Sequence, residues 1–310
     1  MKSEMSYKFK GSGFDAPEEK KKYEQPDLKL STKFEKLLEN MIEIEKKHRM
    51  DSDEKKAEAH IETDRLIQRF IKENKIGLPE GHGIILKYQD NKRQDCITYF
   101  LSRLHNQCDD KAIIYDLDTD IELVGADLPA GKCLVNKSNA QYIGEASKGN
   151  IINYAEAEDV GNYSSGIVIN AGKARFFGSG SKGLLINFGD AEMFAVTDSD
   201  SSCKMINAGT TSDSIYLVKT EKIIDYTRLS NAVIMQLPGP VVVDKKTKLC
   251  IKTQIVTNPE FNKFIEDLRQ KVEAGRNDNK EAVKLANSLD QEIKDLDQIM
   301  KEAGHEWWFK

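Results

Sequence analysis

Apolar and polar positions recur with a fixed period between Lys132 and Gly209. Set in rows, the stretch reads KCLVNKSNAQYIGEASK (132–148), GNIINYAEAEDVGNYSS (149–165), GIVINAGKARFFGSGSK (166–182), GLLINFGDAEMFAVTDSDSS (183–202) and CKMINAG (203–209). One column holds Asn136, Asn153, Asn170, Asn187 and Asn207, at spacings of 17, 17, 17 and 20. A second holds Ala140, Ala157, Ala174 and Ala191, and a third Gly144, Gly161, Gly178 and Ala195. Aligned columns of this kind mark a stacked repeat. Each row opens with an apolar run such as Ile167-Val168-Ile169 or Leu184-Leu185-Ile186, followed at once by the Asn column. A second apolar pair follows (Tyr142-Ile143, Phe176-Phe177, Met193-Phe194) and leads to the Gly column. A 17-residue row is too short for a strand–helix–strand unit but long enough for one coil of a β-solenoid.

One coil alone buries little apolar surface. Stacking at about 4.8 Å sets like side chains over like. A column of asparagines at a corner then forms a hydrogen-bonded ladder, each amide satisfying the next coil; the alternative is a polar strip that binds substrate. Five coils at that spacing make a body only about 24 Å tall, which suits a wedge or platform.

The row Asn170-Ala171-Gly172-Lys173-Ala174-Arg175-Phe176-Phe177-Gly178 is echoed by Asn187-Phe188-Gly189-Asp190-Ala191-Glu192-Met193-Phe194-Ala195. These rows resemble the Gly-rich β-helix repeats found at the C-terminal end of the glutamate synthase large chain and in formylmethanofuran dehydrogenase. The present rows are shorter and poorer in glycine. The resemblance implies a right-handed β-helix with an architectural role over residues 132–209, and brings no active site with it.

Outside the repeat the period changes. Residues 1–30, with Gly11-Ser12-Gly13, Pro17, Pro26 and Glu18-Glu19-Lys20-Lys21-Lys22, read as a disordered arm. Thr32 with Glu35 forms a capping-box signal, and Phe34, Leu37, Met41 and Ile44 follow on one helical stripe. A second helix carries Ile61, Leu66, Ile67, Phe70 and Ile71, so 31–77 reads as a helical hairpin. Residues 78–131 read as a mixed α/β lead-in and cap. Gly83–Tyr88 is taken as a strand, Ile97 to Leu104 as a helix, and 115–131 as a fading first coil with Thr119 in the Asn column. Strand signals over 210–257 cap the far end, with Lys248–Lys252 paired to Val241-Val242-Val243 across a turn. Residues 258–310 read as a second helical hairpin. Its last helix spaces Ala282, Ala286, Leu289, Ile293, Leu296 and Met300 as a heptad seam, suited to the N-terminal hairpin or to another protomer. The fold class expected is therefore α+β: a short parallel β-solenoid flanked by helical hairpins.

Composition narrows the function. The 310 residues are 31% charged and 39% hydrophobic, with formal net charge −5. That gives no global attraction to nucleic acid or anionic lipid, and lysines alternate with carboxylates along the helices. No apolar run approaches the roughly 20 residues of a membrane span, and Met1–Phe14 lacks the apolar core of a secretion signal. The five cysteines Cys96, Cys108, Cys133, Cys203 and Cys250 are scattered without Cys-x-x-Cys spacing, so neither a disulfide framework nor a zinc site is expected. A cytoplasmic location with reduced thiols follows. His48 and His60 have no second ligand at helical spacing, so neither metal nor cofactor is expected.

Two motifs invite chemistry. Gly178-Ser179-Gly180-Ser181-Lys182-Gly183 matches G-x-G-x-x-G, but a dinucleotide site needs a helix next, and Leu184-Leu185-Ile186 continues as a strand. Asp190, Glu192, Asp198 and Asp200 form an acidic cluster on the row edges. Converging carboxylates there would suit a sugar-acting enzyme; solvated edge charges that block sheet-to-sheet aggregation are the plainer reading. Trp307, Trp308 and Phe309 at the end of the chain suit a partner anchor or docking into the helical layer. These features favour a non-catalytic intracellular scaffold or interaction protein, binding an unidentified protein or a second copy through its helices. The alternative is an enzyme or a component of an enzyme complex.

Overall fold

The computed structural model describes residues 26–48, 53–88, 93–117, 121–194, 204–211, 223–225, 232–236, 252–256, 259–304 and 309. Its centre is a parallel β-solenoid of about five coils at a spacing of about 17 residues, flanked by helices from both parts of the chain. In chain order the strands are β1 (Ala112–Tyr115), β2 (Ile121–Val124), β3 (Cys133–Asn136), β4 (Ala140–Ile143), β5 (Asn150–Asn153) and β6 (Glu156–Val160). There follow β7 (Ile167–Asn170), β8 (Lys173–Phe177), β9 (Leu184–Asn187), β10 (Asp190–Phe194), β11 (Lys204–Asn207) and β12 (Thr210–Thr211). The last three are β13 (Ile223–Asp225), β14 (Ala232–Gln236) and β15 (Lys252–Val256). Each coil gives its first strand to one sheet and its second to the other, in the orders β1-β3-β5-β7-β9-β11-β13-β14-β15 and β12-β10-β8-β6-β4-β2.

Register stacks the predicted columns without slippage: Asn136 pairs with Asn153, Asn153 with Asn170, Asn170 with Asn187, and Asn187 with Asn207. Leu134, Ile151, Val168, Leu185 and Met205 point between the sheets. There they meet Ala140, Ala157, Ala174 and Ala191 of the second sheet, with Ile143, Val160 and Phe177. Alanine opposite a branched chain keeps the sheets close enough to exclude water. The fading coil ahead of Lys132 is present, with β1 and β2 as its strands, but its corner is not at Thr119. Tyr115 occupies the Asn column beside Asn136, and Thr119 lies outside the described residues. At the far end β14 and β15 run antiparallel, Ala232 opposite Val256. Of the pairing expected between Lys248–Lys252 and Val241–Val243, only Lys252 is among the described residues, and it pairs with Gln236 of β14.

The glycine motif is structural. Gly178 and Gly180 have φ of +75° and +67°, the left-handed region open to glycine. A Cβ on Gly183 would come within 1.9 Å of the Gly166 carbonyl oxygen one coil below. G-x-G-x-x-G here is a corner where backbones stack, followed by β9.

The N-terminal helices are α1 (Leu28–His48), α2 (Asp53–Asn74), α3 (Leu78–Tyr88) and α4 (Gln94–Gln107). They close the first coil, and their apolar faces join the solenoid interior in one core. Two local expectations are corrected. Asp27, not Thr32, caps α1: the Leu30 amide donates to Asp27 Oδ1 at 2.6 Å. The Thr32 hydroxyl instead bonds back to Leu28 O, and Glu35 accepts from the Tyr88 hydroxyl at 3.2 Å. Gly83–Tyr88 is helical. Pro79 sits in the first turn of α3, where a missing N–H is harmless, and Glu80 accepts from the Gly77 amide at 3.0 Å. A short apolar run buried on most sides has no period to separate helix from strand.

The C-terminal hairpin, α5 (Pro259–Asn277) and α6 (Asn279–Glu302), lies on the outer face of the nine-stranded sheet. Cys133, Val135, Ile152, Ile169, Ile186 and Ile206 meet Phe261, Ile265, Leu268, Leu285, Leu289 and Leu296 there. The heptad seam of α6 is thus consumed within the chain, correcting its assignment to the N-terminal hairpin or a second protomer.

Candidate functional site

The asparagine column forms the ladder its spacing implies. Each Nδ2 donates to the next Oδ1: Asn136 to Asn153 at 2.9 Å, Asn153 to Asn170 at 3.1 Å, Asn170 to Asn187 at 2.9 Å, and Asn187 to Asn207 at 3.0 Å. A second bond ties the amide to its own corner, as from Asn136 to Ser138 O at 2.7 Å and from Asn153 to Ala155 O at 2.9 Å. All five side chains have no exposure. They hold the corner and present nothing to a ligand.

The corner just outside the ladder is gripped by α5. The Tyr154 hydroxyl donates to Val272 O at 2.8 Å, while Arg276 lies over the Tyr154 ring and donates to Tyr154 O and Ala171 O. One turn-pair earlier, Arg269 lies over Phe188 and donates to Ala208 O. Guanidinium groups supply donors that the stacked corner carbonyls would otherwise draw from water. Asn150 donates to Asp290 at 2.8 Å, and Lys204 pairs with Asp297 at 3.0 Å. This face of the solenoid is occupied by its own chain.

The outer face of the six-stranded sheet is different. One outward column reads Glu122, Gln141, Glu158, Arg175, Glu192, and a second reads Glu156, Lys173, Asp190. Acid and base alternate across the strands, and adjacent side chains pair. Lys173 meets Glu156 at 3.1 Å, and Arg175 meets Glu158 at 3.0 Å and Glu192 at 4.0 Å. The bond to Glu156 holds the Lys173 ammonium above the usual lysine range. Beside the charges sit partly exposed rings: the Gln141 amide donates to the Tyr142 hydroxyl at 3.2 Å, and Arg175 covers Phe176. Along this face runs an open trough of about 720 Å³, closed at one end by Gln94 at the start of α4. At that end a hydrogen bond with Asp95, with burial adding to it, raises the Glu122 carboxyl above the usual range.

Of the acidic cluster expected from sequence, Asp190 and Glu192 stand on β10 and face outward, Glu192 lining the trough. Asp198 and Asp200 lie outside the described residues, as do Trp307 and Trp308. Phe309 is half-exposed, with the Lys204 ammonium 5.3 Å from its ring centre. Among the described residues no group of three or more His, Cys, Asp and Glu is placed to hold a metal ion, and no helix is long and apolar enough to cross a membrane. Cys96, Cys108 and Cys133 are free thiols, Cys133 buried as its row position implies.

Sequence reasoning missed a buried histidine pair. His82 on α3 and His105 on α4 face each other with Nε2 atoms 3.1 Å apart, and both rings pack edge-on against Tyr115 of the first coil. Exposure is 3% and 0%. Burial depresses both: His82 to about 4, and His105 well below the usual value with the His82 and Lys132 charges adding to burial. Two neutral rings sharing one N–H satisfy this geometry. They lie 23 residues apart on separate helices, so no local spacing announces them.

No protein-family model matches the chain, and comparison with curated proteins and with solved structures found no match.

Proposed function

We propose that the protein is a non-catalytic interaction module acting inside the cell, and that a protein partner docks on the outer face of the six-stranded sheet. The observation that carries this reading is the asymmetry of coverage. α5 and α6 pack on the nine-stranded sheet from β1 to β11 and α1–α4 close the first coil, while among the described residues no element covers the charged columns of the second sheet. Paired charges beside Tyr142 and Phe176 give a rigid surface with both directional and apolar contacts, as at the anchors and rims of protein interfaces. The free thiols support a reducing compartment. The sugar-acting alternative finds less support. Its proton donor needs a desolvated carboxyl, whereas Glu156, Glu158 and Glu192 are each more than a third exposed and lie within 4.0 Å of a cation; Glu122, raised chiefly by its hydrogen bond with Asp95, is exposed as well.

The test is recovery of the tagged full-length protein from its native cells, with and without nuclease, beside an Arg175→Glu/Tyr142→Ala variant. A stoichiometric, nuclease-resistant partner lost from the variant is the expected result. Absence of a partner, or one retained by the variant, sinks the reading.

A further inference from the structure

The α1–α2 hairpin carries a second charged surface, rich in cations. Lys29, Lys33 and Lys36 follow one stripe of α1 at i, i+4 and i+7, and Arg65, Arg69 and Lys72 follow one stripe of α2 at the same intervals. Both stripes lie toward the end of the hairpin where α1 begins and α2 finishes. Between them is a groove of about 250 Å³ lined by Leu37, Leu66 and Phe70, where Lys33, Lys36 and Arg69 outnumber a single carboxylate, Glu73. At the other end of the hairpin Lys47 pairs with Glu62 at 3.0 Å, and Asp64 of α2 is taken by Arg103 of α4 at 2.8 Å. Lys36 and Arg69 have no carboxylate partner among the described residues, and Lys33 donates only to the neutral amide oxygen of Asn74 at 2.6 Å.

We infer that this groove binds an acidic amphipathic helix from a partner protein. A half-buried Leu66 set between two rows of cations, over a floor of Leu37 and Phe70, is the complement of a helix whose apolar stripe is flanked by carboxylates, and such a helix would add a third member to the hairpin. Residues 1–25, with six lysines against five carboxylates, lack the acidic excess that such a helix needs. Nucleic acid fits less well. No exposed aromatic ring borders the groove to stack on a base, and the net charge of −5 repels a long polyanion. The surface is separate from the six-stranded sheet and stands whether or not that face has a partner.

The test uses the full chain and a fluorescein-labelled synthetic helix about five turns long, leucine on one stripe and glutamate on both flanks. Saturable binding by anisotropy is expected. It should weaken at least about tenfold in a Lys36→Glu/Arg69→Glu variant, both positions being exposed, and fall steeply with added salt. Leu66→Asp should weaken it as well, and Arg175→Glu on the distant sheet should leave it unchanged. Circular dichroism of each variant, unchanged from the parent, separates lost binding from lost folding. Failure to bind, or equal binding of a peptide of the same composition with its leucines scrambled around the helix, overturns the inference. So does a DNA duplex that displaces the peptide at equal concentration, which would make the surface a generic polyanion site.

Discussion

The two outer faces of the solenoid come from the same short rows and meet opposite fates. First strands such as Asn150–Asn153 and Leu184–Asn187 are buried at every position. Ile152 and Ile186 of these strands leave the interior and are covered by α5 and α6. Second strands such as Lys173–Phe177 bury Ala174 and Phe177 but expose Lys173 and Arg175. One face is therefore finished by the chain itself, and the other is stabilised by cross-strand charge pairs that tolerate water. The difference teaches where to look for a partner. An uninterrupted apolar strand announces an internal cover, whereas alternation announces a surface held open.

The largest expected effect falls on the corner that joins the two faces. Asn170→Leu removes the central rung, leaving the Asn153 donor and the Asn187 acceptor without their bonds in a site with no exposure. Stranded buried polar groups of this kind cost about 4 kcal/mol for the pair and the lost corner bond together. Urea unfolding should show the loss; a change below about 1 kcal/mol would mean the ladder contributes little. Next in size is the covered face. Ile169→Ala opens a cavity beneath α5 and α6 and should cost about 3 kcal/mol in the same experiment. A much smaller loss would show that the hairpin covers the sheet loosely.

Acid separates the covered parts from the open one. His82 and His105 are neutral in the fold because burial depresses both, whereas in the unfolded chain each titrates near 6.5. Below that pH the unfolded state binds more protons, so stability is full above pH 6.5 and falls as pH drops toward 4, the His82 value. Between pH 6.5 and 5.5 the loss is about 1 kcal/mol for each histidine. Lys132, which donates to His105 O at 3.0 Å, adds repulsion to any charge placed there. The Cys108 thiol, held up chiefly by burial, stays neutral in this range. Comparison of urea midpoints at pH 7.5 and 5.5 should show the drop in the parent and a smaller one in a His82→Leu/His105→Leu variant. Equal slopes would remove the pair from the acid response.

Legibility in the sequence followed the same physics. The ladder was readable because stacking repeats each side chain at the row length, so Asn136 to Asn207 stand in one column with only the last row extended. The first coil was legible only as a fading row, and its corner was misplaced at Thr119, because Tyr115 stands where the later coils carry asparagine. Gly83–Tyr88 misled for want of a period. The open face could be read in part: Asp190 and Glu192 were singled out, but their partners Lys173 and Arg175 lie a full coil away and become neighbours only through the register. The groove between α1 and α2 was hidden more completely. Along each helix lysine alternates with glutamate, and only the helical turn gathers the cations on one side.

The smallest expected effect sharpens the comparison most. Arg175→Ala removes the cation that holds both Glu158 and Glu192, yet all three side chains are more than a third exposed. Water and salt replace much of what is lost, so stability should change by no more than about 0.5 kcal/mol. Ile169→Ala, one coil-face away on the covered sheet, should cost several times as much. If the two substitutions proved equally damaging, the charge columns would be structural mortar and the open face would lose its standing as a surface kept for a partner. A near-neutral Arg175→Ala that also weakens partner recovery would separate binding from folding at a single side chain, which is the behaviour expected of a surface maintained for recognition.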